Sequence, residues 1–246
     1  MTDPALSVSH GYLLGGRVRY AQPVAGFRSG IEPVMLAAAI PAKAGERILE
    51  AGPGAGAALL CLMARIPGIE GVGVERDPAL ARLAQANADD NAWPNLRFVA
   101  GDIVETPLDG VFDHACTNPP YHAATGTRSP DDTRERAKRL DSGLLARWAV
   151  AMGRALRHRG TLTFILPAGL VPEACTAMAM AHCQPSVLFP LWPRHGQPAG
   201  LVILQSIRNG RGTLRISPGL VLHAAGQAYT EHANASLRDG AALQLD

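Results

Sequence analysis

The chain has 246 residues, of which 47% are hydrophobic, so it carries enough apolar side chain to bury a core and is not an intrinsically disordered polypeptide. Its formal net charge of +2 is too small to indicate a nucleic-acid partner from composition alone. The N-terminal residues lack a basic segment followed by an apolar one, and no apolar run approaches the roughly 20 residues that span a bilayer, so we expect a soluble, cytoplasmic protein with no membrane association.

Short β-branched apolar runs alternate with longer Ala- and Leu-rich stretches along the chain. The predicted strands cover residues 47–50, 71–75, 96–100, 111–117, 161–166, 187–191 and 201–207. Helices are predicted over 56–65, 78–91 (with Asp77 as the N-cap) and 144–157. The alternation predicts an α/β fold of the Rossmann-like class, with a mostly parallel seven-stranded sheet, helices on both faces and a late antiparallel strand.

Two segments flank this core. Residues 1–29 include an alternating stretch that predicts an extended or hairpin segment. Residues 208–246 contain Leu-Arg-Ile, Ser-Pro-Gly and Leu-Val-Leu in succession, which is typical of a hairpin with a Pro-Gly turn. We therefore divide the chain into an N-terminal segment (1–29), a core (30–207) and a C-terminal hairpin extension (208–246), together forming one compact domain.

A glycine-rich turn follows the first predicted strand and opens a helix, with glycines at Gly52, Gly54 and Gly56. Glycine lets the backbone turn tightly and approach a ligand closely, and the helix N-terminus offers free amide donors. Glu75 ends the second strand about 20 residues further on, where an acid can accept hydrogen bonds from a ribose diol. These features predict a cofactor that contains adenosine, and NAD remains open because Ala57 completes a dinucleotide pattern.

The acid at the end of the first strand separates the two cofactors. Glu50 is placed to meet the amino group of a methionine moiety, whereas it would repel a pyrophosphate. Asp102, after the third strand, is placed to accept from the adenine amino group, although a turn-forming role is the alternative. We therefore expect S-adenosylmethionine, with S-adenosylhomocysteine as the product.

The fourth strand runs directly into Asn118-Pro119-Pro120-Tyr121. Two prolines fix the backbone and remove two amide donors, which holds a rigid loop with its carbonyls outward. The Asn118 side-chain oxygen, also at the edge of the cofactor site, and the Pro119 carbonyl can accept both hydrogens of one NH2 group, directing its nitrogen towards an incoming methyl group. Tyr121 offers a flat face for a flipped-out base or an amide.

The order of these motifs resembles that of class I methyltransferases of the amino-group type, and within them the bacterial tRNA1(Val) (adenine37-N6)-methyltransferase family. The resemblance extends to residues 16–19, 22–28, 36–40, 159–168, 220–223 and 229–230. It implies methylation of the N6 amine of adenine in RNA, at adenine 37 of tRNA(Val). The family usually has Asp in place of Glu50, and Thr-Asp where this chain has Gly30-Ile-Glu-Pro, so that Glu32 is a candidate replacement beside the cofactor methionine.

Basic residues follow the Asn-Pro-Pro-Tyr loop. They are Arg128, Arg134, Arg136, Lys138 and Arg139. One interpretation is a segment that binds RNA phosphates beside the flipped base. The other is a solvated helix start, because acidic residues are interspersed. No pair among the four cysteines has the spacing of zinc ligands, so we expect no metal.

Several functions remain open at this point. Protein glutamine N5-methylation is an alternative because an amide NH2 presents the same two hydrogens to the loop. Methylation of adenine in rRNA or DNA is another. An NAD-dependent oxidoreductase is opposed by Glu50 and by the Asn-Pro-Pro-Tyr loop. A non-catalytic RNA-binding module would not need an intact cofactor pocket.

Overall fold

The computed structural model describes residues 6–25, 29–120 and 143–245. The strands of these segments are β1 (Val8–Leu13), β2 (Val18–Pro23), β3 (Arg47–Ala51), β4 (Glu70–Glu75), β5 (Leu96–Ala100), β6 (Phe112–Thr117), β7 (Leu156–Pro167), β8 (Cys183–Trp192), β9 (Leu201–Arg208), β10 (Arg215–Ile216) and β11 (Leu220–Val221). The α-helices are α1 (Glu32–Ala39), α2 (Ala57–Arg65), α3 (Pro78–Asp90), α4 (Leu144–Ala155), α5 (Val171–Met180) and α6 (Glu231–Asp239).

The main sheet has the order β10-β8-β9-β7-β6-β3-β4-β5, with β11 also paired to β8. Strands β3 to β8 run parallel to one another, and β9 runs antiparallel between β7 and β8. The seven long strands are the seven predicted from the sequence, and the late antiparallel strand is confirmed. We call the side of the sheet on which β3 to β8 end the carboxyl edge, and the side on which they begin the amino edge.

The predicted C-terminal hairpin is wrong in its pairing. Strands β10 and β11 do not pair with each other; both add in parallel to the outer edge of β8. The chain between them crosses the Pro-Gly turn, where Gly219 has a φ of +79° and the Trp192 indole donates to the Pro218 carbonyl at 2.9 Å. The unpaired backbone groups of β8 therefore provide the partners that the hairpin prediction assigned to the two short strands themselves.

The N-terminal strands β1 and β2 form an antiparallel hairpin around the 3₁₀ turn Leu14–Gly16. Asn87 of α3 and Asn91, the residue that follows this helix, hold β2 as a neighbouring strand would. Asn87 accepts from the Ala21 amide and donates to the Ala21 carbonyl, both at 2.8 Å. Asn91 makes the same pair of bonds with Arg19, at 2.9 and 2.8 Å. The hairpin is therefore fixed to the core through side-chain amides.

Helices cover both faces of the sheet and bury two apolar clusters. Alternate residues of β3 point to opposite faces, so Ile48 belongs to the apolar cluster that includes α1 and α2, while Leu49 belongs to the cluster that includes α4 and α5. Both side chains are fully buried. Helix α3 begins as predicted, with the Asp77 carboxylate accepting from the Ala79 amide at 2.8 Å. No helix in the described segments is long and apolar enough to cross a membrane.

Candidate active site

The glycine-rich turn links β3 to α2 at the carboxyl edge, and its three glycines have positive φ angles. The surroundings of the three glycines differ. A Cβ at Gly54 would meet nothing within 4 Å, whereas one at Gly56 would lie 2.9 Å from the Phe98 ring. A Cβ at Gly52 would lie 2.7 Å from the Trp148 ring. Gly54 therefore leaves room for a ligand, while Gly52 and Gly56 make room for side chains of the protein itself.

Glu75 ends β4 beside this turn and holds its shape. Its carboxylate accepts from the Gly54 amide and from the Asp77 amide, each at 2.9 Å. Each carboxylate oxygen keeps a further acceptor site, so Glu75 can bind the turn and a diol at once. The sequence predicted the position of this acid at the strand end, and it did not predict the bond to Gly54.

Glu50 lies in β3 with 2% of its surface exposed. Its Oε2 atom has no hydrogen-bond partner among the described residues. Burial raises the pKa of Glu50 to about 8; the backbone hydrogen bond from Leu59 opposes this, and the charge of Glu75 adds to it. A buried carboxylate with an open acceptor is costly unless a cation or donor reaches it. The site thus fits an ammonium group.

Asp102 follows β5 and forms a turn. Its Oδ1 atom accepts from the Val104 amide at 2.9 Å, and its carbonyl accepts from the Thr106 hydroxyl at 2.7 Å. The turn-forming role considered in the sequence is therefore present. The contact of Asp102 with adenine stays a prediction, and its second carboxylate oxygen is the atom that would make it.

Strand β6 delivers Asn118 to the carboxyl edge beside β3. The two strand ends are tied together, because the buried Thr117 hydroxyl donates to the Ala51 carbonyl at 2.9 Å. The Asn118 Oδ1 atom is buried and, within the described part of the chain, without a hydrogen-bond partner. Pro119 is buried and Pro120 is exposed. The loop therefore presents an open acceptor, as its proposed chemistry requires.

Several predicted site residues lie outside the described residues. They are Tyr121 and the basic residues Arg128, Arg134, Arg136, Lys138 and Arg139. Glu32 is described: it starts α1, with Pro33 next to it, and a Cβ at Gly30 would overlap its carboxylate. The roles of all these residues stay predictions.

Sequence reasoning missed two residues that the fold brings to the turn. Trp148 of α4 covers Gly52, and Asn87 of α3 donates to the Ala55 carbonyl at 3.0 Å. Both are hidden in regular helical patterns, so no local motif marks them. The one available signal was composition, since only 5% of the residues are aromatic and each tryptophan therefore merits attention.

Comparison with known proteins identifies the family to which this chain belongs. The methyltransferase small domain family matches residues 33–135. A tRNA1(Val) (adenine(37)-N6)-methyltransferase of Aeromonas hydrophila is 30% identical over 212 residues, covering 82% of this chain and 85% of the relative. The chain belongs to this methyltransferase family. S-adenosylmethionine is therefore its cofactor, which removes the NAD alternative, and Glu50, Gly54 and Glu75 form a site that fits it.

Two further proteins are similar to the chain. A predicted O-methyltransferase of Agrobacterium tumefaciens has the same fold, with a TM-score of 0.71 at 23% identity, covering 86% of this chain and 98% of that one. The release factor glutamine methyltransferase of Rhodospirillum rubrum is 33% identical over 102 residues, which is 40% of this chain and 31% of the relative. Within the described segments, no group of three or more His, Cys, Asp or Glu side chains is arranged to hold a metal ion.

Proposed function

We propose that the protein transfers a methyl group from S-adenosylmethionine to the exocyclic N6 nitrogen of adenine in RNA, at adenine 37 of tRNA(Val). The observation that carries the proposal is the open, buried Oδ1 acceptor of Asn118 at the carboxyl edge. An amino group is the donor that such an acceptor needs. The Aeromonas hydrophila relative, whose name specifies this base, aligns along most of both chains.

Asn118 and Pro119 act by positioning the target nitrogen. The Asn118 Oδ1 atom accepts one hydrogen of the NH2 group and the Pro119 carbonyl accepts the other, which turns the nitrogen lone pair away from the base ring. S-adenosylmethionine supplies an electrophilic methyl group. The nitrogen becomes positively charged as it is methylated, and the two acceptor dipoles stabilise that charge. The proton then leaves to solvent, so the chain does not need a strong base.

Three carboxylates and the glycine-rich turn hold the cofactor. The Glu50 carboxylate accepts from the methionine ammonium group, and Glu75 accepts from the ribose hydroxyls while it holds the Gly54 amide. Asp102 accepts from the adenine amino group. Gly52 and Gly56 contribute by letting Trp148 and Phe98 pack against the turn.

Tyr121 and the basic residues carry the substrate side of the proposal. Tyr121 stacks on the flipped adenine, and Arg128, Arg134, Arg136, Lys138 and Arg139 bind phosphates beside it. Glu32 lies at the methionine end of the cofactor. Segments 1–29 and 208–246 belong to one compact domain with the core.

Protein glutamine N5-methylation is the second candidate, because the Rhodospirillum rubrum relative carries that name and an amide NH2 group presents the same two hydrogens to the loop of this chain. Its alignment covers 31% of that enzyme, against 85% for the adenine methyltransferase of Aeromonas hydrophila. The more extended alignment favours the RNA substrate.

Nucleoside mass spectrometry tests the proposal. The protein is incubated with total tRNA and S-adenosylmethionine carrying an isotopically labelled methyl group. We expect label in N6-methyladenosine, in the tRNA(Val) fragment that contains position 37. A parallel incubation with release factor is digested to peptides, and label in its glutamine, with none in RNA, would contradict the proposal. The Asn118→Ala protein is the control for methylation by contaminants.

A further inference from the structure

The N-terminal hairpin reaches the cofactor turn through one buried side chain. Asn87 is 2% exposed, and its Nδ2 atom donates both to the Ala21 carbonyl of β2 and to the Ala55 carbonyl of the glycine-rich turn, at 2.8 and 3.0 Å. Ala55 lies between two of the turn's glycines. Strand β2 is therefore packed along the wall of the cofactor site and is not a peripheral addition.

Next to Ala21, the side chain of Tyr20 is buried, with 5% of its surface exposed. Its hydroxyl lies 2.7 Å from the Ser29 hydroxyl. The Ser29 amide also donates to the Gln22 side chain at 3.1 Å. Two side chains of β2 thus hold Ser29 from the same strand, three residues before Glu32 begins α1.

Tyr20 also lies within electrostatic reach of the methionine end of the site. Burial raises the pKa of Tyr20 to about 12; the Ser29 hydrogen bond opposes this, and the charges of Cys61 and Glu50 add to it. The phenol therefore stays neutral and can donate. A phenylalanine would fill the same apolar space without a polar atom to satisfy, so packing alone does not account for the hydroxyl.

We propose that Tyr20 is a positioning residue for the amino-acid end of the cofactor, acting through Ser29. The hydroxyl holds Ser29, and with it the chain that enters α1 at Glu32, on the side of the site where the charge of Glu50 reaches Tyr20. The hairpin is then a wall of the cofactor site. This inference rests on the proposed function only in its cofactor, S-adenosylmethionine, and does not depend on the RNA substrate.

Calorimetric binding of S-adenosylhomocysteine to Tyr20→Phe, Ser29→Ala and the double variant tests the inference. We expect each single change to raise Kd by about threefold to tenfold, as for loss of one partly buried hydrogen bond. The double variant should be no weaker than the weaker single one, because both changes remove the same contact. In turnover, KM for S-adenosylmethionine should rise while kcat and KM for RNA stay constant.

Tyr12→Phe is the matched control, since Tyr12 lies on the same hairpin with 69% of its surface exposed. It should bind as the wild type does. Thermal unfolding without ligand completes the set. A Tyr20→Phe protein that unfolds earlier but binds S-adenosylhomocysteine with unchanged Kd would overturn the inference, because the hydroxyl would then serve folding alone. Additive effects in the double variant would overturn the route through Ser29.

Discussion

The two edges of the sheet treat their polar groups in opposite ways. At the amino edge, the His114 ring bonds Glu46 at 3.0 Å and the Thr161 hydroxyl at 2.8 Å. Arg157 bonds both Glu46 and Asp113. We call these five residues the amino-edge cluster. At the carboxyl edge, two buried oxygens, one in Glu50 and one in Asn118, lack partners within the described segments.

The acids of the two edges respond to their surroundings with opposite shifts. Burial acts to raise the pKa of Glu46, but hydrogen bonds from His114 and the Lys43 amide outweigh it and leave the pKa lowered. The pKa of Glu50 is raised, because burial there meets little compensation. The comparison teaches that the acids of the amino-edge cluster are satisfied where they hold strands together, whereas the open oxygens of Glu50 and Asn118 lie where we propose that ligands supply the donors.

Removing the open acceptor of Asn118 should have the largest effect. Asn118→Ala should lower methyl transfer by about 10²–10³-fold, the usual loss when one preorganised polar group is removed from a reacting centre. Binding of S-adenosylhomocysteine and the unfolding temperature should change little, because Oδ1 holds nothing in the described structure. Single-turnover kinetics at saturating cofactor measure the effect, and near-normal rates would contradict the assigned role.

The same chemical change at the two edges sharpens the comparison. Glu50→Gln keeps the shape of the side chain but removes the charge that we propose binds the ammonium group of the cofactor. We expect binding of S-adenosylhomocysteine to weaken by about 10- to 100-fold, the range for a lost charge-assisted hydrogen bond. Glu46→Gln should leave binding unchanged. Calorimetry on both variants checks this, and equal losses would remove the distinction between the edges.

Glu50→Gln should also stabilise the ligand-free protein, with a definite pH dependence. The pKa of Glu50 in the folded protein, about 8, lies above its ordinary value of 4.5. The contribution of Glu50 to the free energy of unfolding is therefore fully present below about pH 4.5 and is lost as the pH rises to 8. Glutamine stays neutral throughout. The unfolding temperature of the variant should therefore exceed that of the wild type by a margin that grows between pH 5 and 8. Parallel profiles would contradict the buried, open carboxylate.

Two glycines of the glycine-rich turn, Gly54 and Gly56, should respond differently to the same substitution. Alanine at Gly54 or Gly56 carries the same penalty for a positive φ, about 1–2 kcal/mol. Gly56→Ala must also displace the Phe98 ring, so it should lower the unfolding temperature further. The Cβ of Gly54→Ala meets no atom of the described residues but would enter the space of the cofactor. This variant should therefore lose more free energy of S-adenosylhomocysteine binding than free energy of unfolding. Thermal unfolding with and without ligand separates the two, and identical ligand-induced shifts would contradict the assignment.

The predicted sheet followed from the alternation of elements, because parallel strands and crossover helices leave a strong periodic pattern. Strand β5 was placed without error at Leu96–Ala100. The C-terminal hairpin was misjudged because a Pro-Gly turn signals a reversal and says nothing about which neighbour the flanking strands will meet. That neighbour, β8, is distant in the chain.

The positions of some site residues could be predicted from the order of the strands. Glu50, Glu75 and Asn118 lie at strand ends, and strand ends of a parallel sheet converge on one edge. Asn87 and Tyr20 act across 66 and 9 residues, through contacts that only the packed structure creates. Trp148 likewise reaches Gly52 from a helix distant in the chain. Local motifs therefore predicted which residues lie at the carboxyl edge, whereas the residues that hold them in place depend on tertiary packing.

The smallest expected effect is at the amino-edge cluster, where Glu46→Gln tests the satisfied edge. Because the pKa of Glu46 is lowered in the folded protein, its contribution to the free energy of unfolding is present above pH 4.5, its ordinary pKa. The contribution is lost as the pH falls through the pKa of the folded protein. Because Glu46 is partly exposed, screening reduces the loss at pH 7 to about 0.5–1 kcal/mol. Glu46→Gln should therefore unfold slightly earlier than the wild type at pH 7, and the difference should vanish in acid. This pH dependence has the opposite sign to that of Glu50→Gln. Chemical denaturation at pH 7 and at about pH 3 measures it, and a deficit that persists undiminished at the lower pH would show that packing, and not the charge on Glu46, stabilises this edge.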